Sequence, residues 1–169
     1  DISNWDVSSV VNFRGMFESN TAFNGNISSW NVSNVTDMTG MFQYASNFNQ
    51  DIGGWGVSSV TDMTSMFENA TSFNQDLSSW CVAHIPTTPS NFGNGAPMPV
   101  SYHPAWGSSS AYGCMDSTAC NYDSLAICDD GSCGNILGCT DPTFCNYDPA
   151  ATCNDGSCFG LLGCTDPTA

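Results

Sequence analysis

The sequence predicts a repeat solenoid of short β-strands and brief helical turns, followed by small, loop-rich modules stapled by disulfides. Two observations carry this. A 25-residue unit, seen whole as NISSWNVSNVTDMTGMFQYASNFNQ from Asn26 to Gln50, comes round three times and starts a fourth. Beyond residue 111 a second 25-residue pattern replaces it, poor in apolar residues and carrying four cysteines per unit. A fixed period of this length is the signature of units that cannot bury their own apolar face and must stack on a neighbour.

The apolar phases define the first region. Trp5, Trp30, Trp55 and Trp80 share one phase, Val7, Val32, Val57 and Val82 the next, and Val10, Val35, Val60 and Ile85 a third. Phe13, Met38 and Met63 follow, then the Met-Phe pairs 16/17, 41/42 and 66/67, then Phe23, Phe48 and Phe73. Within a unit, Ile27 to Val32 reads as a short extended stretch and Val32 to Val35 as a turn. Asp37 to Tyr44 has the i, i+3, i+4 spacing of a helical turn through Met38, Met41 and Phe42. Strand stacking would advance each coil by about 4.8 Å. Asn24, Asn49 and Asn74 recur beside the Phe, where stacked amides would satisfy the backbone at a corner. The expected divisions are a solenoid over 1–85 (units 1–25, 26–50, 51–75 and a partial 76–85), a cap over 86–107 and a linker over 108–111. Cysteine modules over 112–136 and 137–161 follow, then the start of a truncated third module over 162–169.

Composition limits the function classes. One Lys or Arg stands against 16 Asp plus Glu, a formal charge of -15, which excludes a basic footprint for nucleic acid and charge-driven binding to anionic lipid. No apolar run is long enough to span a bilayer, so no direct membrane insertion is expected in this segment. Ten cysteines point to an oxidising compartment, hence an extracellular or cell-surface location. The chain reads as a piece of something longer.

The recurrent string D-I-S-x-W-x-V-S-x-V-T-x-M-x-x-M-F…F-N-Q over residues 1–107 resembles the BspA-like surface-protein repeats of bacteria and some protists, a divergent branch of the leucine-rich repeats. The resemblance implies a leucine-rich-repeat-like, secreted or surface solenoid used in adhesion, with no enzymatic site on the repeat. It also implies a terminal cap at Trp80-Cys81-Val82, Pro89 to Phe92 and Pro104-Ala105-Trp106-Gly107. Family caps place a second cysteine after that Trp-Gly; Ser108, Ser109 and Ser110 stand there instead. The proline-rich stretch 85–104 cannot continue a strand pattern and would cover an edge that otherwise invites aggregation.

In the second region YGCMDSTACNYDSLAICDDGSC recurs as LGCTDPTFCNYDPAATCNDGSC. Cys114, Cys120, Cys128 and Cys133 match Cys139, Cys145, Cys153 and Cys158. Two staples per module would replace missing burial, and three pairings per module are open. The spacing fits neither zinc nor haem attachment. The string resembles tandem GCTDPTACNYDPAA..DDGSC cysteine modules of large secreted marine proteins. That resemblance implies Cys114 with Cys133, Cys120 with Cys128, Cys139 with Cys158 and Cys145 with Cys153. Cys81 and Cys164 lie outside this scheme and are candidates for an inter-chain or long-range disulfide.

Asp116, Asn121, Asp123 and Asp130, matched by Asp141, Asn146, Asp148 and Asp155, are oxygen ligands of the kind that calcium needs. The competing reading is that D-P-T, N-Y-D and D-G-S are turns in which Asp and Asn bond their own backbone. Asn26, Asn31, Asn34 and Asn69 head N-glycosylation triplets. His84 and His103 are the only histidines, and Glu18 and Glu68 sit at matching phases as surface residues, so no catalytic couple is expected and no enzyme. The first expectation is a structural or adhesive surface protein, part of a stalk, filament or adhesin. Its partners would be other copies of itself, other surface or matrix proteins, or glycans. The alternative is a recognition module whose solenoid face binds a protein or glycan, which varied exposed residues would favour and near-uniform repeats disfavour.

Overall fold

The computed structural model of the chain describes residues 1–108, 112–129 and 131–160. The chain divides into two compact units, Asp1–Ala111 and Tyr112–Ala169. In the first, backbone hydrogen bonds carry the 25-residue period. Phe13, Gly15, Phe17 and Ser19 donate their N–H groups to the carbonyls of Asp37, Thr39, Met41 and Gln43 at 2.7–2.9 Å. Met38, Gly40, Phe42 and Tyr44 donate in the same way to Asp62, Thr64, Met66 and Glu68 at 2.8–2.9 Å. Ser65, Phe67 and Asn69 do so to Ser90, Phe92 and Asn94 at 2.7–2.8 Å.

The intervening N–H groups turn back on their own segment: Met41 donates to Met38, Gln43 to Gly40 and Ala45 to Phe42. Lateral bonds and local turns therefore alternate along the chain. Gly40 and Tyr44 hold positive φ, 60° and 59°, each at the third residue of such a turn, as in a type II turn. Gly15 and Ser65 repeat the first of these positions, and Ser19 and Asn69 the second. Glycine takes this conformation freely. For the other residues it is uncommon and must be held by surrounding bonds.

This geometry overturns the expected helical turn over Asp37 to Tyr44, because positive φ at every fourth residue stops a right-handed helix. It also overturns the β-rich, leucine-rich-repeat-like solenoid. Among the described residues, parallel pairing in this unit is limited to the isolated bridges Asn12 with Asp37 and Asp37 with Asp62. The helical element among the described residues is a single 3₁₀ turn at Val100–Tyr102. Among the described residues the sheets are two small two-stranded ones, both in the second unit. The chain is mostly irregular, turn-built and disulfide-crosslinked, and the descriptors solenoid, β-rich and leucine-rich-repeat-like do not fit it. The apolar spacing misled because consecutive four-residue turns bring residues 38, 41 and 42 to one side as a helical turn would.

The core of the first unit runs through the apolar phases. Ile27, Trp30, Val32, Val35, Met38, Met41, Phe42, Ala45 and Phe48 are buried, as are their counterparts from Ile52 to Phe73. Phe17, Phe42 and Phe67 stack at 5.6 Å between centroids, and Phe42 lies on Phe48 at 3.9 Å. The Trp30, Trp55 and Trp80 indoles donate to the carbonyls of Ile2, Ile27 and Ile52 at 3.0–3.1 Å, which satisfies the one polar atom that such a ring buries. Asn24 Oδ1 accepts from the Asn49 N–H and Asn49 Oδ1 from the Asn74 N–H. Gln50 and Gln75 add their amides to the same oxygens. Over residues 86–107, Phe92 meets Phe67 edge-on at 5.4 Å and Trp106 at 5.0 Å. Tyr102 O accepts from Leu77 N–H, and His84 Nε2 lies 2.7 Å from Val60 O.

Replacing Trp55, which is 4% exposed, by Ala should destabilise this unit by about 3–5 kcal/mol, the range for a large buried aromatic. Trp5 is 55% exposed, and the same change there should cost about 1 kcal/mol or less. Chemical denaturation followed by far-UV circular dichroism checks both. Equal losses at the two sites would contradict the packing.

Candidate functional site: the stapled modules

The second unit builds one small motif twice. Strand β1 (Tyr112–Gly113) pairs in parallel with β2 (Cys128–Asp129), and β3 (Leu137–Gly138) with β4 (Cys153–Asn154). The bridges Cys114 with Tyr122 and Cys139 with Tyr147 extend each pair by one position. Strands two residues long cannot stand alone. Among the described residues the buried side chains here are Cys114, Ala119, Cys128, Cys139 and Cys153, so the cysteines are most of this core.

The structure bonds Cys114 to Cys133 and Cys139 to Cys158, each across a separation of 19 residues. Cys120 is bonded to Cys153 across 33 residues, which corrects the expected pairs Cys120 with Cys128 and Cys145 with Cys153. The cause is local. Asn121 Oδ1 accepts from Gly134 N–H and Gly134 O accepts from Cys120 N–H, so the end of the first module folds back against Cys120. Ile136 O accepts from Cys153 N–H and Thr152 N–H, which brings β4 to the same place. The Cys120 and Cys153 sulfurs lie 3.0 and 3.2 Å from Gly134 O. A Cβ at Gly134 would lie within 2.5 Å of the Thr152 side chain, so this closeness requires glycine. Cys81, Cys128 and Cys145 are also in disulfides. Cys164 and Asp130 lie outside the described residues.

The carboxylates face their own turns. Asp116 Oδ1 accepts from the N–H and hydroxyl of Thr118, and Asp141 Oδ1 from those of Thr143, at 2.7–2.9 Å. Asp123, Asp148 and Asp155 each accept one N–H two residues on, from Leu125, Ala150 and Ser157. Asn121 and Asn146 clamp the loop that ends each module: their amides donate to Ser132 O and Ser157 O and their oxygens accept from Gly134 N–H and Phe159 N–H. Among the described residues no three His, Cys, Asp or Glu converge as a metal site would require. The hydroxyl bonds from Thr118, Thr143 and Ser157 hold the carboxyls of Asp116, Asp141 and Asp155 below the usual carboxylate range.

The remaining sequence candidates lie apart in the first unit. Asn26 and Asn31 are exposed, with Oδ1 bonded to Ser28 and Ser33, and Asn34 donates to Ser8 O. Asn69 is half-buried at φ 56°, with Gly95 against its side-chain oxygen, a poor place for a glycan. His103 meets Phe92 edge-on at 5.6 Å, and burial lowers its pKa. Glu68 accepts from the Gln43 amide at 2.7 Å.

The family described as "Mycoplasma protein of unknown function, DUF285" matches residues 1–102, and the resemblance to leucine-rich surface repeats gives way to it. No curated protein and no solved structure matches the chain.

The folded-state pKa values of Asp116, Asp141 and Asp155 lie below their unfolded values. The stability they contribute is therefore complete above the ordinary carboxylate value of about 3.9 and is lost as pH falls through the folded values. The melting temperature of the modules should be flat from neutral pH to about pH 5 and fall below about pH 4. Asp116→Asn with Asp141→Asn keeps the turn acceptor and should flatten that fall. Because each of these carboxylates already serves its turn, melting curves in calcium and in chelator should superimpose. A clear rise with calcium would show that the oxygens converge on an ion.

Proposed function

We propose that the chain, which belongs over residues 1–102 to the family described as "Mycoplasma protein of unknown function, DUF285", is a structural or adhesive element of an extracellular surface protein. The observation that carries this reading is the disulfide set of the second unit, above all the Cys120–Cys153 bond between successive modules. Such small modules with cysteine cores persist where thiols stay oxidised and lose their support in a reducing cytosol. In the first unit, the same lateral bonds recur from one 25-residue unit to the next. This suits a spacer or contact surface of repeated character more than a single shaped pocket. A formal charge of -15 keeps such a surface soluble and directs it away from nucleic acid and anionic lipid. Its partners would be further copies of the chain, other surface or matrix proteins, or glycans.

Protease shaving of intact cells, with a thiol-blocking reagent present from the start, tests location and oxidation together. The expected result is release of peptides from residues 1–160 with their cysteines unblocked until reduction. Recovery only after lysis, with the cysteines already blocked, would overturn the surface assignment. Beads coated with the purified chain should in addition be retained by surfaces of the source cells more than beads coated with its reduced and alkylated form.

A further inference from the structure

We infer that the edge of the first unit formed by residues 1–25 is a docking surface for one further segment of the same 25-residue pattern, presented with its lateral N–H groups free. The inference rests on the reading of this unit as a contact surface of repeated character and names what that surface takes.

Residues 26–50 show what such a segment does. Met38, Gly40, Phe42 and Tyr44 donate their N–H groups to the carbonyls of Asp62, Thr64, Met66 and Glu68. In return Ile27 O accepts from the Trp55 indole, Thr36 O from Thr61 N–H and Asn49 Oδ1 from Asn74 N–H. On residues 1–25 the receiving groups stand at the same phases and are unused. Among the described residues nothing donates to the carbonyls of Asn12, Arg14, Met16 and Glu18, and the Trp5 indole, Val11 N–H and Asn24 N–H find no acceptor. The apolar surface is open too. Trp5 is 55% exposed where Trp30 is 4%, and Met16 is 37% exposed where Met41 is 0%. Unpaired main-chain groups beside apolar surface are a template for adding a segment.

The polarity of this edge decides its occupant. From Asn12 to Glu18 it displays acceptors alone, because the N–H groups of Arg14, Met16 and Glu18 bond within their own segment. A two-fold pairing of two such edges would set carbonyls against carbonyls, so a second copy meeting this one edge to edge is excluded. The occupant has to bring a row of donors. In another folded copy the last such row, Ser65, Phe67 and Asn69, is already engaged by Ser90, Phe92 and Asn94 of the cap. An uncapped segment with the sequence of residues 26–50 offers a donor for each open carbonyl and an acceptor for each open N–H.

The test joins a second copy of the sequence of residues 26–50 directly ahead of Asp1 in the full chain, which continues the period without a break. A scrambled version of the same residues, joined at the same place, is the control. Hydrogen exchange of the Val11 and Asn24 amides should slow by about tenfold in the first fusion, the effect of one hydrogen bond of ordinary net strength, and stay unchanged in the control. Trp5→Ala, nearly neutral in the unfused chain, should lower the denaturation midpoint of the first fusion about as much as Trp55→Ala does. Amides left unprotected in the first fusion, equal protection by the scrambled segment, or a Trp5→Ala change that remains neutral would each overturn the inference. Sedimentation of the unfused chain checks the polarity argument: a monomer is expected, and a dimer abolished by Trp5→Ala would show that the edge pairs with itself. All of this is read on purified protein, so failure here and failure of the surface assignment are separate outcomes.

Discussion

The first unit depends on one constraint, the alternation by which successive backbone N–H groups serve the neighbouring segment and then their own turn. From Met38 to Ala45 every second N–H crosses to the carbonyl 24 residues on, and those at 41, 43 and 45 close local turns. A segment with half its donors committed to a neighbour cannot satisfy itself in isolation. The alternation fixes the register, and the register superimposes like residues: Phe17 on Phe42 on Phe67, and Phe23 on Phe48 on Phe73. The apolar core is thus a consequence of the bonding pattern as well as its reward. Sliding one segment by a residue would place lateral donors opposite committed carbonyls and aromatic rings opposite polar side chains.

The modules meet the same need by other means. They have too few apolar residues for a hydrophobic core, and exposed Leu125, Ile136, Leu137 and Phe159 show that those they have are not gathered inside. Covalent bonds restrict the unfolded chain instead, and Asn121 and Asn146 fix the loop ends through two hydrogen bonds each. The bond from Cys120 to Cys153 does what the lateral N–H bonds do in the first unit: it joins one repeat to the next.

Much of the core was legible in the sequence because burial follows the period. Trp30, Val32, Val35, Met41, Phe42 and Phe48 are inside, and Asn24, Asn49 and Asn74 form the corner ladder that their spacing suggests. The backbone path was not legible. Positive φ at Tyr44 has no signature in the residue type, and an apolar spacing common to turns and helices cannot tell them apart. In the modules the carboxylates read both as cation ligands and as turn residues, and Asp116, Asp123, Asp141, Asp148 and Asp155 make the turn bonds. The cross-module bond was not legible because each module carries four cysteines of its own, which can pair within it. Gly134, the residue whose missing side chain lets Thr152 approach, was the available signal.

The two units also differ in what can undo them. The core cluster of the first contains no cysteine; its order rests on apolar burial and on lateral N–H bonds, which denaturants weaken together. The second has a core made largely of sulfur, and its dimensions are set by covalent paths that denaturant leaves intact. Acid acts on both, because Asp6, Asp62 and Asp76 in the first unit and Asp116, Asp141 and Asp155 in the second are held ionised by Ser or Thr donors of their own turns. Acidification removes the charge that these donors favour and with it their preference for the folded turn. Reductant also reaches both, through the disulfide of Cys81 in the first unit and those of the second, but only in the second does it cut into residues that make up most of the described core.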